Sequence, residues 1–526
     1  MINRPYITFL FIFSALLFLD CSKQEATRPN VLLIVADDMN YDSPGFAGSI
    51  APDITPNIDR LASEGLIFEN AFVTVSVCQP SRQSMLTGLL PHHYGSTGFF
   101  PMAEGTQTLS SMLGDAGYLT AIIHKEQHLM PLESFNWTYN NEKLGLDFAD
   151  GFVGRHPDAM ADAFRKFVKV ADEQKKPFFM MVNSSDPHRP FYGDPIHLGH
   201  WYWGDEMVET PDPSRIYKPE EITIPAMLPD LPGIREDLAK YASSVRRLDD
   251  CVGKCLKVLE DLDKESSTLV IFVSDNGMPL PYAKFDCYLQ SNRTPLLMKW
   301  PELIQKPAVE KDHLISLMDI TPTVLELAGL PIPDSLDGKS LVPFLNNQTP
   351  ENWRKSIVFL RNDDIYYPDG IKSALKRDPE FLNKLKAIGW IDRPDHPEPG
   401  TLSREKEMRA HFDGRYGYIY NNCYSDEMIK PDELGAIVPY GDPAFRAMKS
   451  ASKKNPEVKE RYDFYLQRAP EELYDWTVDP GSKNNLIDDP KFAEVLSKAR
   501  SGLLQWMKDA DDPLIEEYKH AVGSVK

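Results

Sequence analysis

Cysteine and positive charge are both scarce in this sequence. Only six cysteines occur among 526 residues, which excludes a small fold held together by dense disulfides. Their spacing contains no paired C-x-x-C motifs and does not suggest a zinc site. Lysine and arginine number 57 against 78 aspartates and glutamates, so the formal net charge is -21. That charge argues against nucleic acid or an anionic membrane surface as a general partner.

Long apolar runs are also missing, apart from one near the N-terminus. Residues 7–19 form a mostly apolar run that is too short to span a bilayer comfortably and has the layout of a secretory signal. Cys21 follows and resembles the acylated cysteine of a bacterial lipoprotein, although Phe18 and Asp20 depart from the usual small residues. We expect residues 1–21 to be a signal peptide, with acylation and simple cleavage both open. The mature chain is then exported, to the periplasm or the cell surface.

Alternation of strand and helix patterns predicts the fold class. Short continuous apolar runs, typical of strands buried on both faces of a parallel sheet, occupy residues 31–35, 119–123, 178–182 and 269–273. Helical patterns lie between them, at residues 57–64, 109–116, 158–172 and 235–262. Cys251 and Cys255, four residues apart in the last helix, are expected to pack in the core. The order of these elements predicts a doubly wound, mostly parallel α/β sheet.

The pattern changes after residue 330. Turn signals separate isolated strands at residues 416–420 and 473–478 and a final helix at residues 490–506. We predict a catalytic domain over residues 28–345 and a smaller C-terminal α+β domain, with an antiparallel sheet, over residues 346–526. One large α/β domain with an appendage is the alternative. The charged, proline-dotted residues 363–406 have the character of an insertion.

Each of the four predicted strands is followed by charged or imidazole side chains. The pairs Asp37-Asp38, His124-Lys125 and Asp275-Asn276 follow three of them, and Asp186-Pro187-His188 follows the fourth. Ligands gather beyond the carboxyl ends of parallel strands, so we expect these side chains to share one site. The acids and the amide offer only oxygen ligands, which suit calcium or magnesium. Alternatively, the first pair of acids only caps a helix.

A short helix is predicted over residues 78–88, with the sequence CQPSRQSMLTG. Pro80 suits its first turn and Gly88 its end. The Cys78 sulfur then lies where free N–H groups and the macrodipole favour an anion, and Arg82 is one turn away. A buried cysteine on an ordinary helix is the alternative.

The C-x-P-S-R sequence from Cys78 to Arg82, followed by a Thr-Gly pair, resembles the signature of the type I sulfatases. The resemblance runs from Arg28 to about Pro513. Within the family it is greatest to the heparan N-sulfatases (sulfamidases), through residues 70–78, 186–189 and 274–277. It implies an alkaline-phosphatase-like fold and hydrolysis of sulfate from a sulfated carbohydrate.

The resemblance also implies the cofactors and the nucleophile. A formylglycine-generating or other sulfatase-maturing enzyme oxidises Cys78 to formylglycine, whose hydrate attacks sulfur. Its second hydroxyl then eliminates sulfate, which a serine could not do. One Ca²⁺ per chain is bound by a set of five residues: Asp37, Asp38, Cys78, Asp275 and Asn276.

The remaining roles follow from the same resemblance. Arg82 holds the hydrate, while Lys125 and Lys284 clamp the sulfate oxygens. His188 contacts the sulfate and protonates the leaving atom. His128 matches the family's base less well, because two residues separate it from Lys125 where the family has one. If no bulge absorbs the extra residue, His124 or another group fills that role.

The substrate is expected to be a terminal sulfated sugar, with N-sulfoglucosamine first and an O-sulfated hexose second. The net charge opposes binding of a long polyanion and favours an exo mode. Trp201 and Trp203 could stack on a sugar ring or simply pack their loop onto the domain. A phosphonate or phosphate monoester hydrolase of the same superfamily is one alternative, and a non-catalytic sugar-binding protein is another. Apart from Cys21 as an anchor, no membrane partner is expected.

Overall fold

The computed structural model describes residues 28–96, 98–146, 153–194, 209–362, 407–422 and 443–523. The predicted signal peptide with Cys21, the pair Trp201 and Trp203, and the insertion at residues 363–406 lie outside these ranges.

Seven strands form the main sheet. They are β1 (Asn30–Ala36), β2 (Leu66–Phe68), β4 (Leu119–Ile123), β5 (Phe178–Asn183), β6 (Thr268–Ser274), β7 (Leu296–Lys299) and β8 (Ala308–Glu310). Their order is β4-β5-β1-β6-β7-β2-β8. The first four in that order are mutually parallel, and β7 is antiparallel to both of its neighbours. β3 (Ala71–Phe72) and β9 (Ile315–Ser316) form a separate two-stranded sheet. The predicted mostly parallel sheet is confirmed.

Helices cover both faces of the main sheet. They are α1 (Pro56–Ser63), α2 (Cys78–Thr87), α3 (Leu109–Asp115), α4 (Asn141–Leu144), α5 (Pro157–Gln174), α6 (Pro232–Asp261), α7 (Leu289–Asn292), α8 (Ile320–Leu327) and α9 (Val342–Leu345). Leu32 and Ile34 of β1 pack in the same core as α1, α5 and α6, whereas Leu33 and Val35 pack in the core that contains α2, α3 and α8. This alternation is the period of two expected for a strand buried on both faces.

The C-terminal part contains an antiparallel sheet in the order β10-β11-β12-β13. Its strands are β10 (Ile357–Arg361), β11 (Met408–Phe412), β12 (Tyr416–Asn421) and β13 (Glu471–Asp475), and its helices are α10 (Pro443–Ser452), α11 (Pro456–Leu466), α12 (Ala493–Asp509) and α13 (Ile515–Gly523). The strand predicted at residues 473–478 begins and ends earlier in the structure, at Glu471–Asp475. The chain turns at Asp475, whose carbonyl accepts the N–H groups of Val478 and Asp479. The helix predicted at residues 490–506 is α12, which is preceded by a 3-10 turn at Pro490–Phe492 and extends to Asp509. It is not the final helix, because α13 follows it.

The C-terminal sheet packs directly against the segment that precedes α2. The N–H of Leu360 donates to the carbonyl of Thr74 at 2.8 Å, and Val75 pairs with Leu360 in a bridge. Val75, Val77 and Leu360 share one apolar cluster. The two parts therefore meet close to Cys78.

Helix α6 is the longest of the described helices. Cys251 and Cys255 are buried on it, which confirms that they pack in the core. Among the helices that the structure describes, none is long and apolar enough to cross a membrane.

Candidate active site

The carboxyl ends of the parallel strands meet at one site. Asp37 and Asp38 follow β1, Lys125 follows β4, and Asp275 follows β6. The N–H of Asp38 donates to Asp275 Oδ1 at 3.0 Å, and the N–H of Asp37 donates to the carbonyl of Asp186 at 3.2 Å. The structure thus brings together the side chains that the strand ends predicted.

Cys78 begins α2, as predicted, and Gly88 ends it with a φ of 71°. A left-handed glycine at this position is an ordinary helix ending. The Cys78 Sγ lies 3.5 Å from Asp37 Oδ1, 3.8 Å from Asp38 Oδ1 and 3.4 Å from Lys284 Nζ. The sulfur therefore sits among the predicted metal ligands.

The unmodified thiol does not favour an anion in this place. Burial raises the pKa of Cys78 well above its ordinary value; Lys284 lowers it, while the neighbouring carboxylates raise it further. The helix macrodipole contributes only about 0.3–1 kcal/mol at an exposed terminus. Burial and the nearby acids thus oppose ionisation of the thiol, whereas Lys284 and the start of α2 favour it.

The oxygen-rich cluster fits a hard divalent cation. One ligand atom each of Asp37, Cys78 and Asp275 lie within 4.8 Å of one another. Asn276 Nδ2 donates to Asp38 Oδ1 at 2.7 Å, while the buried Asn276 Oδ1 has no hydrogen-bond partner among the described residues. A buried amide oxygen beside three carboxylates is the donor set that Ca²⁺ or Mg²⁺ prefers. Which residues coordinate a metal remains a prediction.

The crowded carboxylates differ in their pKa values. Burial raises the pKa of Asp275 to about 7, with Arg82 opposing and the other acids adding to the shift. Burial acts in the same direction on Asp37, but Lys125, His188 and Arg82 outweigh it and hold its pKa well below the ordinary value. Neighbouring like charges separate pKa values in this way.

Three cations balance the acids. Lys125 Nζ pairs with Asp37 Oδ2, and Lys284 Nζ lies 2.6 Å and 2.8 Å from the two oxygens of Asp38. Arg82 Nε donates to Asp275 Oδ2 at 3.0 Å, and Arg82 Nη2 forms an ion pair with the same oxygen at 2.7 Å. The two lysines predicted to bind sulfate thus each pair with a different carboxylate of one cluster.

His188 also reaches this cluster. Its Nε2 lies 3.7 Å from Asp38 Oδ2. Burial lowers the pKa of His188 to about 4, although Asp38 and Asp37 act in the opposite direction.

A compact turn accommodates the extra residue between Lys125 and His128. His124 and Lys125 have φ values of 60° and 59°, and a 3-10 turn follows at Glu126–His128. His124 Nε2 bonds with Ser185 Oγ at 2.7 Å, whereas His128 Nδ1 is buried without a hydrogen-bond partner among the described residues. Burial, Lys125 and Arg82 lower the pKa of His128. The geometry favours His128 over His124 as the base, and that role stays a prediction.

Sequence reasoning missed Asn183, which joins two parts of the site. Its Oδ1 accepts from Arg82 Nη1 at 2.5 Å, and its Nδ2 donates to the carbonyls of Ile123 and His124, both at 3.0 Å. It therefore ties α2 to the turn that carries Lys125. Its place at the end of β5 was the available signal, since the other strand ends had already been selected on that basis.

Two ion pairs between the His188 loop and α6 were also missed. Asp186 pairs with Arg247, and Arg189 pairs with Asp237. The partners are separated by 61 and 48 residues along the chain. No local pattern indicates such contacts, because they depend on how α6 crosses the sheet.

Sequence comparison finds known relatives of this chain. The family model described as "Sulfatase" matches residues 29–330. Human N-sulphoglucosamine sulphohydrolase is 29% identical over 515 residues, covering 93% of this chain and 92% of the relative. N-acetylglucosamine-6-O-sulfatase of Bacteroides thetaiotaomicron is 26% identical over 539 residues, covering 83% of this chain and 94% of the relative.

A solved structure shares the fold. The phosphonate monoester hydrolase of Agrobacterium radiobacter superposes with a TM-score of 0.62 at 18% identity, covering 92% of this chain and 96% of that one. This likeness, with the sheet described above, confirms the predicted alkaline-phosphatase-like fold. Because the family model spans more than half of the sequence, the chain belongs to the sulfatase family, whose members hydrolyse sulfuric esters and sulfamates.

Proposed function

We propose that this chain removes sulfate from a terminal sulfated sugar, with N-sulfoglucosamine as the first candidate and an O-sulfated hexose as the second. The observation that carries the proposal is the contact of Cys78 with Asp37, Asp38 and Lys284 at the edge of the main sheet. The similarity to human N-sulphoglucosamine sulphohydrolase over nearly the whole chain supports the order of the candidates.

The proposal includes conversion of Cys78 to formylglycine by a maturing enzyme and binding of one Ca²⁺. The C-x-P-S-R sequence that begins at Cys78, which resembles the sulfatase signature, supports the conversion. The ligands of the ion would be Asp37, Asp38, Asp275, Asn276 and the modified residue 78. When bound, these groups supply a hydrated-aldehyde nucleophile and positive charge for the sulfate oxygens.

The other residues orient the sulfate and move protons. Lys125 and Lys284, which pair with Asp37 and Asp38, hold the sulfate oxygens, and Arg82 holds residue 78. His188 protonates the leaving oxygen or nitrogen. The sulfate anion of the substrate favours the protonated form of His188, because it raises the pKa of the imidazole from about 4. His128, with a ring nitrogen that has no partner among the described residues, takes a proton when sulfate is released.

The substrate is proposed to bind in an exo mode. A chain of net charge -21 repels an extended polyanion, so a terminal residue or short oligosaccharide fits better. Trp201 and Trp203, which follow His188 in the sequence, are proposed to stack on the sugar ring.

Sulfate release decides among the candidates. The matured protein is incubated with N-sulfated and O-sulfated disaccharides, and a Cys78→Ala variant serves as the matched control. Release from the N-sulfated disaccharide supports the first candidate, and release from O-sulfates alone selects the second. If neither releases sulfate while a phosphonate or phosphate ester is cleaved, the proposal is wrong and the phosphonate hydrolase alternative replaces it.

Export is a separate proposal that depends on the N-terminal sequence. We propose that residues 1–21 direct the chain to the periplasm or cell surface, with Cys21 as a lipid anchor. Cell fractionation with mass spectrometry of the mature N-terminus tests it. An unprocessed Met1 in the cytosolic fraction would contradict it.

A further inference from the structure

The loop that carries Lys284 has an unusual backbone. Tyr282 and Phe285 have φ values of 70° and 60°, in the left-handed region that bulky residues rarely adopt. Each such residue costs about 1–3 kcal/mol and persists only where the surroundings determine it. The contacts of residues 282–288, here called the Lys284 loop, should therefore show what holds Lys284 in place.

Tyr282 is held by the C-terminal part. Its hydroxyl donates to the carbonyl of Arg461 at 2.5 Å. The guanidinium of Arg461 lies 3.5 Å from the ring centroid, and that of Arg468 lies 5.2 Å from it. Tyr282 is also buried against Tyr465. Aromatic rings and guanidinium groups in such contact attract each other, so the start of the loop is fixed against α11 and Arg468.

Asp286 fixes the part of the loop that follows Lys284. Both of its carboxylate oxygens accept from Arg468 Nη2 at 3.2 Å, and Oδ1 also accepts from Arg361 Nη1 at 3.1 Å. Its N–H donates to Ser76 Oγ at 3.1 Å, and its carbonyl accepts from that hydroxyl at 2.7 Å. The loop is thus joined both to Arg468 and to the segment just before Cys78.

Tyr288 gives Arg468 a third contact with the loop. The Tyr288 hydroxyl bonds with Arg468 Nη1 and donates to Glu472 Oε2 at 2.9 Å. Arg468 is 3% exposed, so its contacts operate in a region from which water is excluded. One buried side chain therefore touches residues 282, 286 and 288, which lie on both sides of Lys284 in the sequence.

We propose that Arg468 is a positioning residue that holds the Lys284 ammonium against Asp38 and residue 78. The inference rests on the proposed function, in which Lys284 binds the substrate sulfate. Lys284 Nζ lies 3.4 Å from Cys78 Sγ, so a shift of the loop moves the ammonium away from the reacting group. A displacement of about 1 Å costs roughly 100-fold in rate.

A double-mutant cycle between Arg468 and Lys284 tests the proposal. Arg468→Met should lower kcat/KM for the sulfated disaccharide by about 100-fold. In the Lys284→Met background, Arg468→Met should lower kcat/KM by less than about a further threefold. The effects of two residues are not additive when one acts through the other. The cycle is repeated with inorganic sulfate binding measured by calorimetry, which does not require turnover. Multiplicative losses in both cycles would overturn the proposal.

Arg500→Met is the matched control. Arg500 lies on α12 and pairs with both oxygens of Glu471, at 2.8 Å and 2.5 Å. Glu471 belongs to β13 of the C-terminal sheet. Its loss should combine multiplicatively with Lys284→Met, although it also weakens that sheet. If Arg468→Met does not fold, Arg468→Lys replaces it in both cycles, since lysine keeps the charge and loses the planar, bidentate guanidinium.

The outcomes separate this inference from the proposed function. If the matured wild-type protein neither binds sulfate nor releases it from any ester or sulfamate, the proposed function fails. If the wild type does both and Arg468 acts independently of Lys284, only the positioning role of Arg468 is rejected.

Discussion

The buried cluster of Arg155, Asp186 and Arg247 predicts which substitution in it destabilises the fold more. Asp186 Oδ1 accepts from Arg155 Nε at 3.1 Å and from Arg247 Nη2 at 3.0 Å, and Oδ2 accepts from Arg247 Nε at 2.7 Å. All three side chains are almost fully excluded from solvent. Two positive charges therefore share one negative charge.

Arg247→Met should cost comparatively little. It removes two charge-assisted hydrogen bonds to Asp186, worth about 1.5–3 kcal/mol each, and the bonds from Nη1 to Thr210 Oγ1 and the Pro211 carbonyl. It also relieves the burial of one guanidinium, which costs several kcal/mol. The remaining pair of Arg155 and Asp186 is neutral. We expect a net loss of about 1–3 kcal/mol in the free energy of unfolding.

Asp186→Asn should cost about 5 kcal/mol, since it leaves two buried cations without a counter-charge. The pKa of Arg155 points the same way: burial lowers it, Asp186 opposes the shift and Arg247 adds to it. Arg155 Nη2 also donates to the carbonyl of His188 at 2.8 Å, so kcat should fall as well.

Equilibrium unfolding in urea, followed by tryptophan fluorescence, measures these differences at constant m. Arg409→Met is the matched control, because Arg409 forms a one-to-one buried pair with Asp512. Removing Arg409 leaves the buried Asp512 carboxylate without its counter-charge, which should lower the free energy of unfolding by about 3–5 kcal/mol. The charge-balance reasoning is refuted if Arg247→Met proves at least as destabilising as Arg409→Met or Asp186→Asn.

Four further predictions concern the site and the N-terminus. Cys78→Ser should keep the wild-type melting temperature and lose turnover, with mass spectrometry finding one sulfate retained on the chain after incubation with substrate; an unsulfated, active variant would contradict this. Chelation should lower both activity and melting temperature, and Ca²⁺ should restore them; no change in either would reject the oxygen ligand set. Asn183→Leu should destabilise the fold by about 3 kcal/mol in urea, because it removes the partner of Arg82 Nη1 and a donor to two buried carbonyls; a change below about 1 kcal/mol would argue against it. Cys21→Ala should release the chain from membranes, and its retention there would exclude the lipid anchor.

The sequence predicted the elements whose signals are local. Continuous apolar runs marked β1, β4, β5 and β6, and the polar residues directly after them marked the site. Pro80 and Gly88 marked the ends of α2. Each of these features depends on a few neighbouring residues, so the pattern and the structure agree.

Features that depend on distant contacts were missed. α10 and α11 pack onto α6 and Tyr282, and nothing local indicates which surface they cover. Strands as short as β2 and β9 are defined by their partners across the sheet. Lys284 lies in a loop with no distinguishing pattern, and only the resemblance to sulfatases selected it.

The charge balance at the site explains how so acidic a chain can bind an anion. Asp37, Asp38 and Asp275 are offset by Arg82, Lys125 and Lys284, so the cluster has a formal charge of zero. A neutral cluster inside a protein of net charge -21 does not by itself attract sulfate. A divalent cation held by the same carboxylates would give the site a net positive charge in a buried environment, where electrostatic attraction is strong. In the proposed function, the acidic residues would therefore contribute to anion binding through the cation that they hold, and the two lysines would contact the sulfate directly.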